Sequence, residues 1–267
     1  MGLDWTPELV AVDADGTIVG ADEIVPPPLA AKLRQIDRLG VPVVLVTGRS
    51  WLSAQLVIDQ LRIPHMYCVC NNGATVATYP PLRVIRQERF DPAPIVEVVR
   101  AHPSVLMAVE AFGRGYDVSR PFPPGGVFCL HGRIEVASFD DLAARPVSRI
   151  ILWDPVASPD QFAAFVDRLD LDDLFHVQEG TAWLDLGSSR TGKQYGLAAV
   201  AAEIGVDRDA VLAIGDGAND IEFLRWAGRG VALGDAPDQL KAVADDVTGT
   251  FSAGGALTEL KKWFPDE

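Results

Sequence analysis

Val10-Ala11-Val12-Asp13-Ala14-Asp15-Gly16-Thr17 decides how this chain is read. Three apolar residues run into two carboxylates one residue apart, then a glycine and a threonine. An apolar run that stops so abruptly reads as a buried strand ending at a turn. Like carboxylates held close destabilise each other, so the junction calls for a counter-cation, a proton or both. Asp, Gly and Thr are also ordinary turn residues, so the stretch takes its meaning from what the rest of the chain supplies.

Other apolar runs end in the same manner. Val41–Val46 is valine-rich and stops at Thr47-Gly48-Arg49-Ser50. Met66–Cys70 stops at Asn71-Asn72-Gly73, and Ala210–Ile214 at Gly215-Asp216-Gly217-Ala218-Asn219-Asp220. Helical patterns lie between them. Pro26-Pro27-Pro28 opens one over Leu29–Leu39, with Gly40 as its cap. Another follows Ser50 to about Arg62, and Gly192-Lys193 opens a third that runs to Ile204. Strand alternating with helix predicts a parallel, Rossmann-like α/β sheet. In such sheets ligands bind at the carboxyl ends of the strands. Asp13, Thr47 and Asp216, far apart in sequence, are therefore expected to meet, with Lys193 joining them.

The middle of the chain has a different texture. From Tyr79-Pro80-Pro81 to about Leu186 the segments are less purely apolar. Helical patterns (Ala93–Arg100, Pro159–Leu169) mix with strand patterns (Val105–Ala111, Ile134–Ala137, Arg149–Trp153, Ala182–Leu186) and a broken loop at Pro121–Gly126. This predicts an α+β domain, residues 80–186, inserted into a discontinuous core of residues 1–79 and 187–267. Phe162, Phe165 and Leu169, at helical spacing, are expected in its interior.

The chain has 267 residues, enough for two domains, and a net charge of −14. That charge, with no Lys/Arg-rich run, excludes a nucleic-acid partner. A small anionic substrate remains compatible, because a metal and a few cations reverse the field locally. The cysteines, Cys68, Cys70 and Cys129, form no C-x-x-C pair, and the scattered His65, His102, His131 and His176 make no metal-ligand spacing. Reduced buried thiols fit a cytoplasmic protein. No apolar run approaches membrane-spanning length, and no signal peptide is expected at Met1-Gly2-Leu3-Asp4-Trp5-Thr6.

By inventory, the strand ends make a phosphate site. Several carboxylates suit a hard divalent cation, and Mg2+ binds through one or two carboxylates plus substrate phosphate. A Thr hydroxyl, the N–H groups beside Gly48 and a Lys ammonium suit phosphate oxygens. One strand-end aspartate is placed to act as a nucleophile, and a second, two residues on, to exchange a proton with the leaving group.

Asp13-Ala14-Asp15-Gly16-Thr17, Val46-Thr47-Gly48-Arg49, Gly192-Lys193 and Gly215-Asp216-Gly217-Ala218-Asn219-Asp220 resemble the four ordered motifs of the haloacid dehalogenase-like (HAD) hydrolase superfamily. Asn72-Gly73-Ala74 and the position of the inserted cap resemble its Cof-type sugar-phosphatase branch. The resemblance covers the whole core, and the cap by position and length. Gln194 departs from it, standing where relatives often have Gly.

The resemblance implies a Mg2+-dependent phosphomonoester hydrolase acting on a small phosphorylated metabolite, a sugar phosphate or glycosyl phosphate. It implies Asp13 as the nucleophile that forms an aspartyl-phosphate and Asp15 as the proton-transfer group. It implies Mg2+ on the Asp13 carboxylate, the Asp15 carbonyl and Asp216. Thr47, Gly48 and Lys193 would hold the phosphoryl group, and Asn219 and Asp220 would act around the metal or position Lys193. The cap is expected to close over the substrate. Two other readings are a phosphomutase-type transfer and a non-catalytic metabolite-binding member of the fold.

Plainer roles exist for several of these residues. Asn219 also suits a helix N-cap, and Thr47 an ordinary turn. Arg49 suits a structural ion pair as well as phosphate, and Asn72 suits a tight turn as well as substrate contact. In the cap, Arg114, Tyr116, Arg120, Arg133 and Glu179 are polar enough to read a substrate, although such residues are usually solvated.

Overall fold

The computed structural model describes residues 5–123, 130–179 and 182–266, with no account of the side chains of 175–179. Cys129, Met1–Asp4, the end of the Pro121–Gly126 loop and the side chain of Glu179 lie outside that description. The chain divides into two units, Met1–Gly48 with Ala54–Arg86 and Gly192–Glu267, and Arg49–Ser53 with Gln87–Thr191.

The first unit begins with strands β1 (Leu9–Val12), β2 (Val43–Val46), β3 (Met66–Cys70), β4 (Thr75–Tyr79) and β5 (Arg83–Gln87), and helices α1 (Pro27–Arg38) and α2 (Trp51–Leu61). β1 and β2 are apolar and buried at every position, as strands covered on both faces must be. Pro27 and Pro28 start α1, where a missing N–H costs nothing, and Gly40 follows it at φ +85°.

The second unit carries β6 (Leu106–Ala111), β7 (Gly115–Val118), β8 (Arg133–Val136), β9 (Ile150–Trp153), β10 (Leu174–Glu179) and β11 (Trp183–Ser188), with α3 (Ala93–Arg100), α4 (Phe139–Ala143) and α5 (Pro159–Val166). The chain then returns to the first unit through α6 (Lys193–Ile204), β12 (Val211–Gly215), α7 (Ile221–Trp226), β13 (Arg229–Ala232), α8 (Asp238–Lys241), β14 (Asp246–Val247) and α9 (Gly255–Trp263).

The first unit's sheet runs β14-β13-β12-β1-β2-β3-β4-β5. β1 lies parallel between β12 and β2, pairing Val12 with Ile214 on one side and Leu45 on the other. Strand order reverses at β1, so the carboxyl ends of β1, β2 and β12 make a topological switch point. β4 departs from the expected parallel pattern. It folds back antiparallel on β3 through the Asn71–Gly73 turn, so the sheet is mixed at that side.

The second unit's sheet runs β10-β11-β9-β6-β7-β8. Ile95, Val96, Val99, Phe162 and Phe165 from its helices pack on Met107, Val109, Ile150, Leu152, Leu184 and Leu186, one face of the sheet. Leu169 joins the same core. Ser158 and Gln161 form a reciprocal capping box that opens α5. The other face carries Ala108, Tyr116, Val118 and Ile151, with Leu130 packed on them.

Candidate active site

The site lies in the first unit, and its members come from strand ends. Asp13 follows β1, and its N–H donates to the Ile214 carbonyl of β12 at 2.9 Å. Thr47 follows β2 and donates its N–H to the Val69 carbonyl at 2.8 Å. Asp216 follows β12. The backbone pairing that builds the sheet thus also fixes the three side chains.

Lys193, the first residue of α6, is 2% exposed. Its Nζ donates to Asp13 Oδ1 at 2.6 Å and to Asp220 Oδ1 at 2.6 Å. The second oxygen of Asp220 accepts the N–H groups of Asp216 at 3.0 Å and Gly217 at 2.9 Å. Both oxygens of Asp220 are therefore engaged, and it stands as an anchor for Lys193 and for the loop after β12. Asp216 Oδ1 accepts the Thr17 hydroxyl at 2.9 Å.

One oxygen from each of Asp13, Asp216 and Asp220 lies within 4.8 Å of the others. Two of these carboxylates, Asp13 and Asp220, share the Lys193 ammonium, and Asp216 crowds in beside them. Burial raises the Asp13 carboxyl well above the ordinary range; Lys193 opposes this, and Asp220 and Asp216 reinforce it. Burial likewise raises Asp216. Burial alone would lower the Lys193 ammonium, yet Asp13 and Asp220 override it and hold it above the ordinary lysine value. An all-oxygen, negatively charged donor set of this kind fits a hard divalent cation such as Mg2+.

Two glycines make the arrangement possible. Gly16 has φ +78°, and a Cβ there would sit 2.0 Å from Asp216 Oδ2. Gly73 has φ +95°, and a Cβ would sit 2.1 Å from the Gly192 carbonyl oxygen, just before Lys193.

Asp15 has an exposed side chain and stands outside the carboxylate group. The chain turns at this point, with Gly16 donating to the Val19 carbonyl at 2.9 Å. Asn72, buried and at φ +50°, donates its N–H to the Thr47 carbonyl at 3.1 Å. Its Oδ1 accepts Asn219 Nδ2 at 3.1 Å and lies against Gly48. Asn72 therefore ties the Thr47–Gly48 turn to the loop bearing Asn219. Arg49 falls in the second unit and donates to Ser53 Oγ at 3.4 Å.

Thr17 is the residue that sequence reasoning quoted without assigning. Its signal was its place in the opening stretch, but its bond to Asp216 spans 199 positions. In the second unit, Tyr116 is 1% exposed and belongs to the sheet's apolar cluster, whereas Arg114 and Arg133 are exposed. Arg120 donates to the Val105 carbonyl at 3.3 Å.

A family model of haloacid dehalogenase-like hydrolases matches residues 10–116 and 127–260. The chain belongs to that family. It is a Cof-type, HAD-type phosphatase. Phosphoglycolate phosphatase of Methanopyrus kandleri is 28% identical to it over 95% of this chain and 96% of that protein. The Bacillus subtilis 5-amino-6-(5-phospho-D-ribitylamino)uracil phosphatase is 22% identical, covering 98% of this chain and 99% of that one. Among solved structures, a haloacid dehalogenase-like hydrolase from Bacteroides thetaiotaomicron superposes with a TM-score of 0.84 at 21% identity, covering 95% of this chain and 98% of that one. A HAD subclass IIB sugar phosphatase superposes at 0.77, covering 96% and 98%. No helix among the described residues is long and apolar enough to cross a membrane.

Proposed function

We propose that this phosphatase is a Mg2+-dependent phosphomonoester hydrolase that acts on small phosphorylated metabolites, of the sugar phosphate or glycosyl phosphate class, through an aspartyl-phosphate. The observation that carries this reading is the cluster of Asp13, Asp216 and Asp220 around the Lys193 ammonium at the ends of β1 and β12.

Asp13 and Asp216 would hold the cation with the Asp15 carbonyl, and when bound it would neutralise charge on the phosphoryl oxygens. Thr47, the Gly48 N–H and Lys193 bind the remaining phosphoryl oxygens. Asp13 forms a bond to phosphorus while the bond from phosphorus to the leaving oxygen breaks, and Asp15 gives that oxygen its proton. Asp15 then takes a proton from water, which attacks phosphorus and releases Asp13 with inorganic phosphate. The exposure of Asp15 suits exchange with both alcohol and water. Asp220 keeps Lys193 charged and in place, and Asn219 and Asn72 brace the Thr47–Gly48 turn. Arg49 and Asn72 are the candidate substrate contacts.

The names of the phosphoglycolate and sugar-phosphate relatives support a small metabolite as substrate. The buried thiol of Cys68 supports a cytoplasmic setting.

Release of inorganic phosphate from a panel of phosphorylated metabolites tests the reading, with and without Mg2+. Mg2+-dependent release that is lost in Asp13→Asn is expected. No release across the panel, or retained activity in Asp13→Asn, would overturn it. Isomeric phosphate esters in place of free phosphate would mark a mutase.

A further inference from the structure

The opening stretch and the loop after β12 meet at one bond that the proposed reaction leaves unused. Thr17 is 1% exposed, and its hydroxyl donates to Asp216 Oδ1 at 2.9 Å. The turn holds that hydroxyl in place. The Thr17 N–H donates to the Ala14 carbonyl at 3.2 Å, and the N–H groups of Ile18 and Val19 reach the same oxygen at 2.9 and 2.8 Å. A β-branched side chain has few rotamers to choose from, so the hydroxyl stays where the turn puts it. Gly16 closes in from the neighbouring position. Its bare Cα lies along the Asp216 carboxylate, where a Cβ would sit 2.7 Å from Cγ. Two consecutive residues thus fix how Asp216 is turned.

Every carboxylate of the cluster has at least one oxygen held by a donor of the protein. Asp13 Oδ1 accepts the Lys193 ammonium at 2.6 Å, and Asp216 Oδ1 accepts Thr17. Asp220 gives Oδ1 to Lys193 and Oδ2 to the N–H groups of Asp216 and Gly217. An oxygen that already accepts a hydrogen bond is a poorer and more crowded ligand. What remains for a cation is Oδ2 of Asp13 and Oδ2 of Asp216, one oxygen from each carboxylate. The number of oxygens offered decides between hard cations. Mg2+ demands near-ideal octahedral geometry, keeps several waters and is held through one or two carboxylates. Ca2+ takes more oxygens in looser geometry and accepts carboxylates that present both.

We propose that Thr17 sets the metal preference of this site, by holding one oxygen of Asp216 so that the carboxylate meets a cation through the other alone. The proposal rests on the reading that Asp13 and Asp216 hold the cation. Thr17 is a positioning residue, acting through Asp216. Without its hydroxyl, Asp216 offers both oxygens, and Ca2+ competes better with Mg2+.

The test is calorimetric titration of the metal-free full chain with MgCl2 and, separately, with CaCl2, with no ester present. Thr17→Val keeps the shape and removes the donor. It is expected to weaken Mg2+ binding by roughly 10- to 100-fold, the usual scale for losing a residue that orients a metal ligand. Ca2+ binding is expected to weaken less or to tighten. The ratio of the two affinities should then move toward Ca2+ by about 10-fold, the scale of one hydrogen bond to a charged group. Thr17→Ser keeps the hydroxyl and is expected to keep the wild-type ratio. Thr17→Ala serves if Thr17→Val does not fold. In a second readout, Ca2+ added at fixed Mg2+ should inhibit release of phosphate from p-nitrophenyl phosphate at lower concentration in Thr17→Val than in the wild type. An unchanged affinity ratio in folded Thr17→Val or Thr17→Ala would overturn the proposal, even if both ions bound more weakly. So would a Thr17→Ser ratio shifted as far as that of Thr17→Val. A wild-type protein that binds neither ion would sink the metal reading and this proposal with it. A wild-type protein that binds Mg2+ but hydrolyses no ester would sink the hydrolase reading alone, and the affinity ratio would still decide the role of Thr17.

Discussion

The two units each bury a cluster of charged side chains, and the clusters differ in how their charge is closed. In the second unit, Arg149 and Asp185 meet fork to fork, with side chains only 10% and 13% exposed. Asp185 and burial act in opposite directions on Arg149, and the carboxylate wins, holding the guanidinium above its ordinary value. In the first unit, Asp13 and Asp220 share Lys193, Asp216 crowds in beside them, and burial drives Asp13 up. A closed pair is content with the protein it has. An open cluster needs something from solution, which is where a cation and a phosphate ester belong.

Removing one partner should therefore act in opposite directions in the two units. Asp13→Asn takes one of three crowded carboxylates away. Phosphate release should fall by about 10^3-fold or more, while the metal-free protein gains stability, visible as a Tm rise of a few degrees. Arg149→Met leaves Asp185 buried without its guanidinium and should cost roughly 3–5 kcal/mol in urea unfolding. Equal signs in the two variants would erase the contrast.

Acidity offers a gentler probe. Asp13 is raised in the folded state, so the folded chain keeps a proton that the unfolded chain releases near pH ~4. Stability of the metal-free protein should then fall as pH rises from about 4 through the raised value, because the native state binds more protons. On the proposed reading, Mg2+ would take the place of that proton. At a hundredfold excess over its Kd it should add about 2.7 kcal/mol. In thermal unfolding of chelator-treated protein, the Tm gain from Mg2+ should be larger near pH ~7.5 than near pH ~5. Equal gains would mean that Asp13 does not exchange a proton for the cation. The smallest effect is expected at an exposed pair. Arg145 reaches Asp117 at 3.1 Å with 60% of its side chain exposed, so Arg145→Ala should change stability by no more than ~0.5 kcal/mol.

Much of the first unit was legible because its signals are local. Each motif lies within a few residues of an apolar run, and the run is the strand that positions it. The meeting of Asp13 with Asp216 followed from the general rule for parallel sheets. Contacts that depend on side-chain reach across the chain were not legible. Thr17 to Asp216 and Asn72 to Asn219 are of that kind, whereas Asp220 as a partner of Lys193 came from the family resemblance. In the second unit the short strands β7 and β10 and the five-residue helix α4 escaped the periodicity, because so few residues carry no clear repeat. Tyr116 read from the sequence as polar enough to meet a substrate, and more ordinarily as a solvated residue. Leu130, Val118 and Ile151 cover it instead, a fact of tertiary packing that its own neighbours in sequence do not announce.

The central claim is that Asp13 attacks phosphorus before water does. The stereochemical course at phosphorus tests it most directly, using a phosphorothioate ester made chiral by sulfur and one heavy oxygen isotope and hydrolysed in water carrying another. Two successive in-line displacements, by Asp13 and then by water, predict retention of configuration in the released thiophosphate. Inversion would mean that water attacks the ester directly, and would contradict the account.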